Sequence, residues 1–212
     1  MSTMLNILPY VGQVLLLAVL ITVTLGRFAK DSRQRMGIVA VLLALGLFLP
    51  VYGLSVAQWL RSVVGDLSVL TLVIFLNILA QRLFNHKLLA PAARNGLLLG
   101  VALVGVVFYP LALGVSVFDP YQLGYSPLLM SALLCLPSIV AWMKSKRDLA
   151  IILLLPLIAY NFHLLESANL WDYLLDPVLL IYALVQCLTG CKFLRSKKMG
   201  AQHEEATVGN RQ

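Results

Sequence analysis

The run Gly96–Val115, G-L-L-L-G-V-A-L-V-G-V-V-F-Y-P-L-A-L-G-V, holds twenty consecutive residues without one charged side chain. As a helix rising about 1.5 Å per residue it spans roughly 30 Å, the thickness of a bilayer's hydrocarbon core. Its apolar residues do not alternate, which excludes a strand of a membrane barrel. Backbone amides in lipid must be bonded within their own segment, so the run reads as a helix. Gly96 and Gly100 stand four apart, with Gly105 beyond them, and small residues at that spacing let a second helix approach closely.

The rest of the chain repeats the pattern. Of 212 residues, 60% are hydrophobic and 12% charged, whereas about a quarter of a soluble domain is charged; mean hydropathy is +0.90. Six more apolar runs read as spans: Leu5–Gly26, Gly37–Leu54, Leu67–Phe84, Pro127–Met143, Leu149–Leu165 and Pro177–Leu194. The expected fold is all-α, a polytopic integral membrane protein with about seven transmembrane helices in one bundle over residues 1–194. Residues 195–212 read as a disordered polar tail. The first run lacks a basic leader and precedes the basic stretch Arg27–Arg35, so it reads as a retained anchor rather than a cleaved signal. Ser55–Ser68, with Trp59, Arg61 and Asp66, reads as a short interfacial segment.

Charge sets the orientation. Alternating the loops between two sides puts fifteen of the sixteen Lys and Arg residues on one side and Arg61 alone on the other. The positive-inside rule makes the basic side cytoplasmic, which places the N-terminus outside and the C-terminal tail inside. The expected location is a cell membrane, multi-pass, with the bacterial inner membrane as its setting. The net charge of +7 is divided among membrane boundaries and forms no single stripe, so nucleic acid is not an expected partner. The lipid bilayer is, and a membrane protein partner is a further expectation.

The outer side is acidic. Its richest loop is Asn161–Pro177, N-F-H-L-L-E-S-A-N-L-W-D-Y-L-L-D-P, without Lys or Arg. With the other outer loops it supplies a candidate binding cluster of Asp66, Asp119, His163, Glu166 and Asp172. Carboxylates and an imidazole suit a cation, a metal or a polar headgroup, and a carboxylate pair can act as acid and base. His163 and Glu166 would share a face if the helix continued through them. The competing reading is capping. Asp176-Pro177 and Ser126-Pro127 have the N-cap and N1 pattern of a starting helix, Asp66 could cap the third span, and Asp119-Pro120 starts a turn. Trp59, Tyr109, Tyr121, Tyr125, Tyr160, Trp171 and Tyr173 read first as an aromatic belt, second as a sugar- or lipid-binding platform.

Within the spans, Asn77 and Gln186 are expected to bond between helices, alongside packing at Gly96 and Gly100. No Asp, Glu, Lys or Arg falls firmly within a span, although proton- and ion-coupled transporters usually need one there. Cys187 and Cys191 share a face near the cytoplasmic end and read as small packing residues. No serine-hydrolase elbow, zinc-protease helix, phosphate loop or dinucleotide glycine pattern occurs. No cofactor or metal is expected. The functional expectation is a non-enzymatic accessory or scaffold of the cell envelope, working with a partner at the outer surface. The alternatives are a transporter of a cation or small solute, using Asn77, Gln186 and helix breaks at Pro137 and Pro156, and a membrane enzyme acting on a lipid or glycan headgroup through His163, Glu166 and Asp172.

Overall fold

The computed structural model describes residues 7–25, 37, 41 and 45–190. It is mostly helical. Helix α1 covers Ile7–Leu25, α2 Val56–Val64, α3 Val69–Phe84 and α4 Pro91–Pro110. The last of these runs into a π turn at Leu111–Val115 and is followed by a 3₁₀ helix, Pro120–Tyr125. Helix α5 covers Pro127–Met143, α6 Arg147–Asn161, the single turn α7 Trp171–Leu174, and α8 Pro177–Gly190.

Local chemistry sets these limits. Ser55 caps α2 in a capping box, its hydroxyl accepting from the Gln58 amide while the Gln58 side chain accepts from the Ser55 amide. Ser68 caps α3 by accepting from the Thr71 amide, and Asn85, in the left-handed region at φ 56°, ends that helix. Pro91, Pro127 and Pro177 each stand at the first position of a helix, where a missing amide proton costs nothing. Gly114, at φ 89°, ends the α4 continuation.

Two apolar clusters join the elements. Leu16 and Val19 of α1 pack with Leu72, Phe75 and Leu79 on one side of α3. Leu70 and Ile74 of α3 meet Leu98 and Val101 of α4, Met130 and Leu134 of α5, Ile152 of α6 and Leu179 and Ala183 of α8 in the centre. Outside that centre the bundle is greasy. Leu99, Leu103, Val106 and Val107 of α4 are all more than half exposed.

Several sequence expectations change here. One described helix, Pro91–Val115 at 25 residues and mean hydropathy 2.3, is long and apolar enough to cross a membrane, so a count of seven such spans is not met by length. Four other apolar helices, Tyr10–Thr24, Val69–Phe84, Pro127–Met143 and Pro177–Gly190, have 10–17 residues. Most of the second expected span lies outside the described residues, as do the basic stretch Arg27–Arg35, Cys191 and the tail. Its far end is not helical. Pro50–Val51 and Leu54–Ser55 form a two-strand hairpin, turned by Tyr52 and Gly53, both at positive φ as a tight hairpin requires.

Pro137 and Pro156 do not break their helices, since α5 and α6 run through them. Asn77 is buried but does not reach a neighbouring helix; its Oδ1 accepts from the Leu89 amide at 3.0 Å and ties down the α3–α4 connector. Gln186 is half-buried in α8.

Small-residue packing is also placed differently. A methyl group on Gly100 would meet nothing within 4 Å, and one on Gly96 would reach only Leu149 at 3.4 Å. The close approach is at Gly105, where an added Cβ would lie 2.6 Å from Leu180 Cδ1. Tighter still is Gly124, where it would lie 1.8 Å from Asn169 Oδ1. Gly124→Ala is therefore expected to lower the melting temperature in detergent by several degrees, roughly 2 kcal/mol of strain and lost bonding. Gly100→Ala should be neutral or stabilising by up to about 1 kcal/mol, the helix-propensity difference. Thermal unfolding of both variants checks the contrast.

Candidate functional site

The connectors before α5 and between α6 and α8 fold into one body. Asn169 is fully buried; its Nδ2 donates to the Tyr121 carbonyl at 2.9 Å and its Oδ1 accepts from the Trp171 amide at 2.9 Å. The Leu170 amide donates to the Gly124 carbonyl at 3.0 Å. The Trp171 indole donates to the Pro120 carbonyl at 2.9 Å, and its ring lies 4.4 Å from that of Phe108. Tyr173, fully enclosed, donates from its hydroxyl to the Leu165 carbonyl at 2.9 Å and accepts from the Leu165 amide at 3.2 Å. Tyr121, Trp171 and Tyr173 thus hold the loops together by bonds within the fold, where the sequence expectation was an aromatic belt at the headgroup level. Trp59 and Tyr125 remain about half exposed.

Beneath these loops lies a cleft of about 500 Å³ whose walls include Asp66, Tyr109, Tyr121, Ser167, Asp172 and Asp176. Each carboxylate has a defined partner. Asp172 accepts from the Tyr121 hydroxyl at 3.0 Å and from the Ser167 hydroxyl at 2.5 Å. Asp176 is 4% exposed. Its Oδ2 accepts from the Ser68 amide at 2.8 Å and from the Thr71 hydroxyl, while Oδ1 accepts from the Leu179 amide at 2.8 Å. One carboxylate therefore serves the N-terminal ends of both α3 and α8, where the helix dipoles also favour a negative charge.

Arg61 organises the rim. Its guanidinium grips Asp66 with two bonds, Nε to Oδ1 at 2.5 Å and Nη2 to Oδ2 at 2.9 Å, and its Nη2 reaches Glu166 Oε2 at 3.0 Å. The bond to Asp66 raises the Arg61 pKa above its ordinary value; burial opposes this and Glu166 adds to it. Asp66 and Glu166 thus hold the one guanidinium, while Asp172 and Asp176 line the cleft beside Asp66; the four carboxylates outnumber Arg61 by a formal three negative charges. Burial, then the charge and hydrogen bond of Asp172, raise the Tyr121 hydroxyl pKa. A raised pKa means a contribution fully present below the unfolded value of about 10 and lost as pH rises through the folded value. The Tyr121–Asp172 bond accordingly holds throughout the neutral range.

The expected cluster is brought together only in part. Asp66 and Asp172 share the cleft, and Glu166 joins them through Arg61. Asp119 stands behind, accepting from the Tyr121 amide at 2.9 Å and starting the 3₁₀ helix. His163 stays apart. Helix α6 ends at Asn161, and His163 at φ 50° is exposed with its ring 6.3 Å from that of Tyr160. It therefore shares no helix face with Glu166. Asp66 caps no helix either, since Ser68 does so and Asp66 faces Arg61. Ser126 precedes α5 without a side-chain cap bond. Among the described residues no three His, Cys, Asp or Glu side chains lie close enough to hold a metal ion. Arg61, Ser167 and Asn169 are the residues that sequence reasoning did not select. A lone base on an acidic face was the available signal for Arg61.

No protein-family model, curated protein or solved structure matches this chain. Its function is read from the geometry.

Replacing Asp176 tests the double cap. Asp176→Ala leaves two buried amides and a hydroxyl without an acceptor and is expected to cost about 3 kcal/mol. Asp176→Asn keeps an acceptor oxygen and should cost less than half of that. Unfolding of the purified variants in mixed micelles gives the comparison.

Proposed function

We propose that this chain is a multi-pass integral membrane protein of the cell envelope, seated in a bacterial inner membrane, that acts as a non-enzymatic accessory to a partner at the outer surface. The observation that carries the reading is the disposition of the outer carboxylates. Asp119 and Asp176 cap helices, Asp66 and Glu166 lock onto Arg61, and Asp172 is held by two hydroxyls. An acid-base pair needs one group able to take up and release a proton at substrate. Groups committed to structural bonds instead make a rigid, negatively charged recognition surface.

The membrane setting is supported by the apolar flank. Only 28% of the hydrophobic window in Pro91–Val115 is buried within the fold, whereas the core helix of a soluble protein hides most of its apolar surface. The 10–17-residue helices beside it reach or fall short of the lower limit of about 17 for crossing alone. In a bundle they cross together, with the bilayer thinned around their ends. Seven spans, an outer N-terminus and a cytoplasmic tail follow from the division of Lys and Arg.

Reporter fusions give the decisive test. A periplasm-active reporter at Val117 is expected to be active and one at Ser145 inactive; the reverse pattern would move the acidic cleft to the cytoplasm and end the proposal. Mild-detergent purification of the tagged chain should bring down a stoichiometric envelope partner, and Glu166→Ala with Asp172→Ala should release it while the chain stays folded.

A further inference from the structure

A second cavity of about 440 Å³ lies between α3, α4, α5 and α6 and is walled almost wholly by apolar side chains, among them Leu97, Val101, Met130, Leu134 and Leu153. Trp171 and Leu175 line both this groove and the acidic cleft, so the two spaces adjoin. Each has the size of a small-molecule site, roughly 300–1,000 Å³. The groove opens on the bundle's flank past Gly100, Val104 and Leu133, all exposed. Gly100 is central to that opening, because the space before its missing side chain is empty to 4 Å. An apolar furrow ending at a polar, charged cleft matches a molecule divided in the same way.

We propose that the groove and the cleft together form one binding site for an amphiphile, a lipid with a hydrocarbon chain in the groove and an ammonium headgroup in the cleft. The reading rests on the membrane placement proposed above. Charge selects the head. The cleft carries an excess of carboxylates, and among the described residues Asp172 is bonded to hydroxyls and to no cation. The rings of Tyr121 and Trp171 stand in the same wall, and aromatic faces attract ammonium groups. A head bearing only negative charge would be repelled. The chain end is selected by the groove, whose lining offers a hydrocarbon dispersion contacts and no hydrogen bonds.

Trp171 supplies the probe. The full-length chain with Trp59→Phe and Trp142→Phe leaves Trp171 as its one tryptophan, and is reconstituted into vesicles of phosphatidylcholine doped with phosphatidylethanolamine or phosphatidylglycerol brominated on one chain. Bromine in the groove quenches Trp171. The ethanolamine lipid is expected to quench at lower mole fraction than the glycerol lipid. Gly100→Leu, whose Cβ meets nothing within 4 Å and whose longer side chain occupies the opening, should abolish most of the quenching by either. Asp172→Asn should reduce the headgroup preference about tenfold, the loss of one charge-assisted contact, and leave chain quenching in place. Quenching that ignores Gly100→Leu overturns the groove, and quenching that ignores the headgroup overturns the ammonium assignment. Lipid retained by the unsubstituted chain through detergent purification, weighed by native mass spectrometry, repeats the test without the tryptophan changes; enrichment in phosphatidylglycerol there also overturns the assignment. Failure of the membrane placement shows separately, as release of the chain from vesicles by alkaline carbonate.

Discussion

One buried carboxylate holds two distant helix starts of this structure in register. Asp176 accepts hydrogen bonds from the start of its own helix and from the start of α3, which lies more than a hundred residues earlier in the chain. Helix ends leave amides without partners, and where Ser68, Thr71 and Asp176 are buried, water is a scarce substitute. A shared acceptor solves both ends at once and fixes the two helices at one level. The cleft follows from that level, because Asp176 and Pro177 form its floor and Gly65 and Asp66, just before α3, form its near wall. The aromatic loops then close over a base that is already set.

Arg61 balances this acidic face. Its guanidinium is gripped by Asp66 and joined to Glu166. The Arg61–Asp66 pair is half-buried and the cluster is partly screened by water, so its contribution to stability is modest. Its value is positional, since it ties the amphipathic helix α2 to the long loop before α8. The acidic face is therefore assembled from elements distant in sequence, and α2 belongs to it.

Much of the helical layout was legible because its signals are local. Prolines at first positions and unbroken apolar runs each act within a turn or two. Pro177 and Pro127 marked their helices to the residue, while α4 began at Pro91, before the expected Gly96, since Arg94 and Asn95 looked like loop. The site was less legible because it depends on pairing across the chain. Glycines four apart named a face of α4, but only the approach of Leu180 singles out Gly105. His163 and Glu166 had helical spacing in a segment that is not helical. Nothing local distinguishes Asn169 from any loop asparagine, although it joins two loops and leaves Gly124 no room for a side chain.

The enclosed hydroxyl of Tyr173, bonded to Leu165 and also to the Ser167 carbonyl at 3.2 Å, has a consequence for how this face meets other molecules. It ties the turns of the loop between α6 and α8 to a buried ring, while Phe162, His163 and Glu166 of that loop stay exposed. Such a segment has little conformational freedom left to lose. Association at this face is then a meeting of preformed shapes, with its entropy cost confined to the incoming molecule.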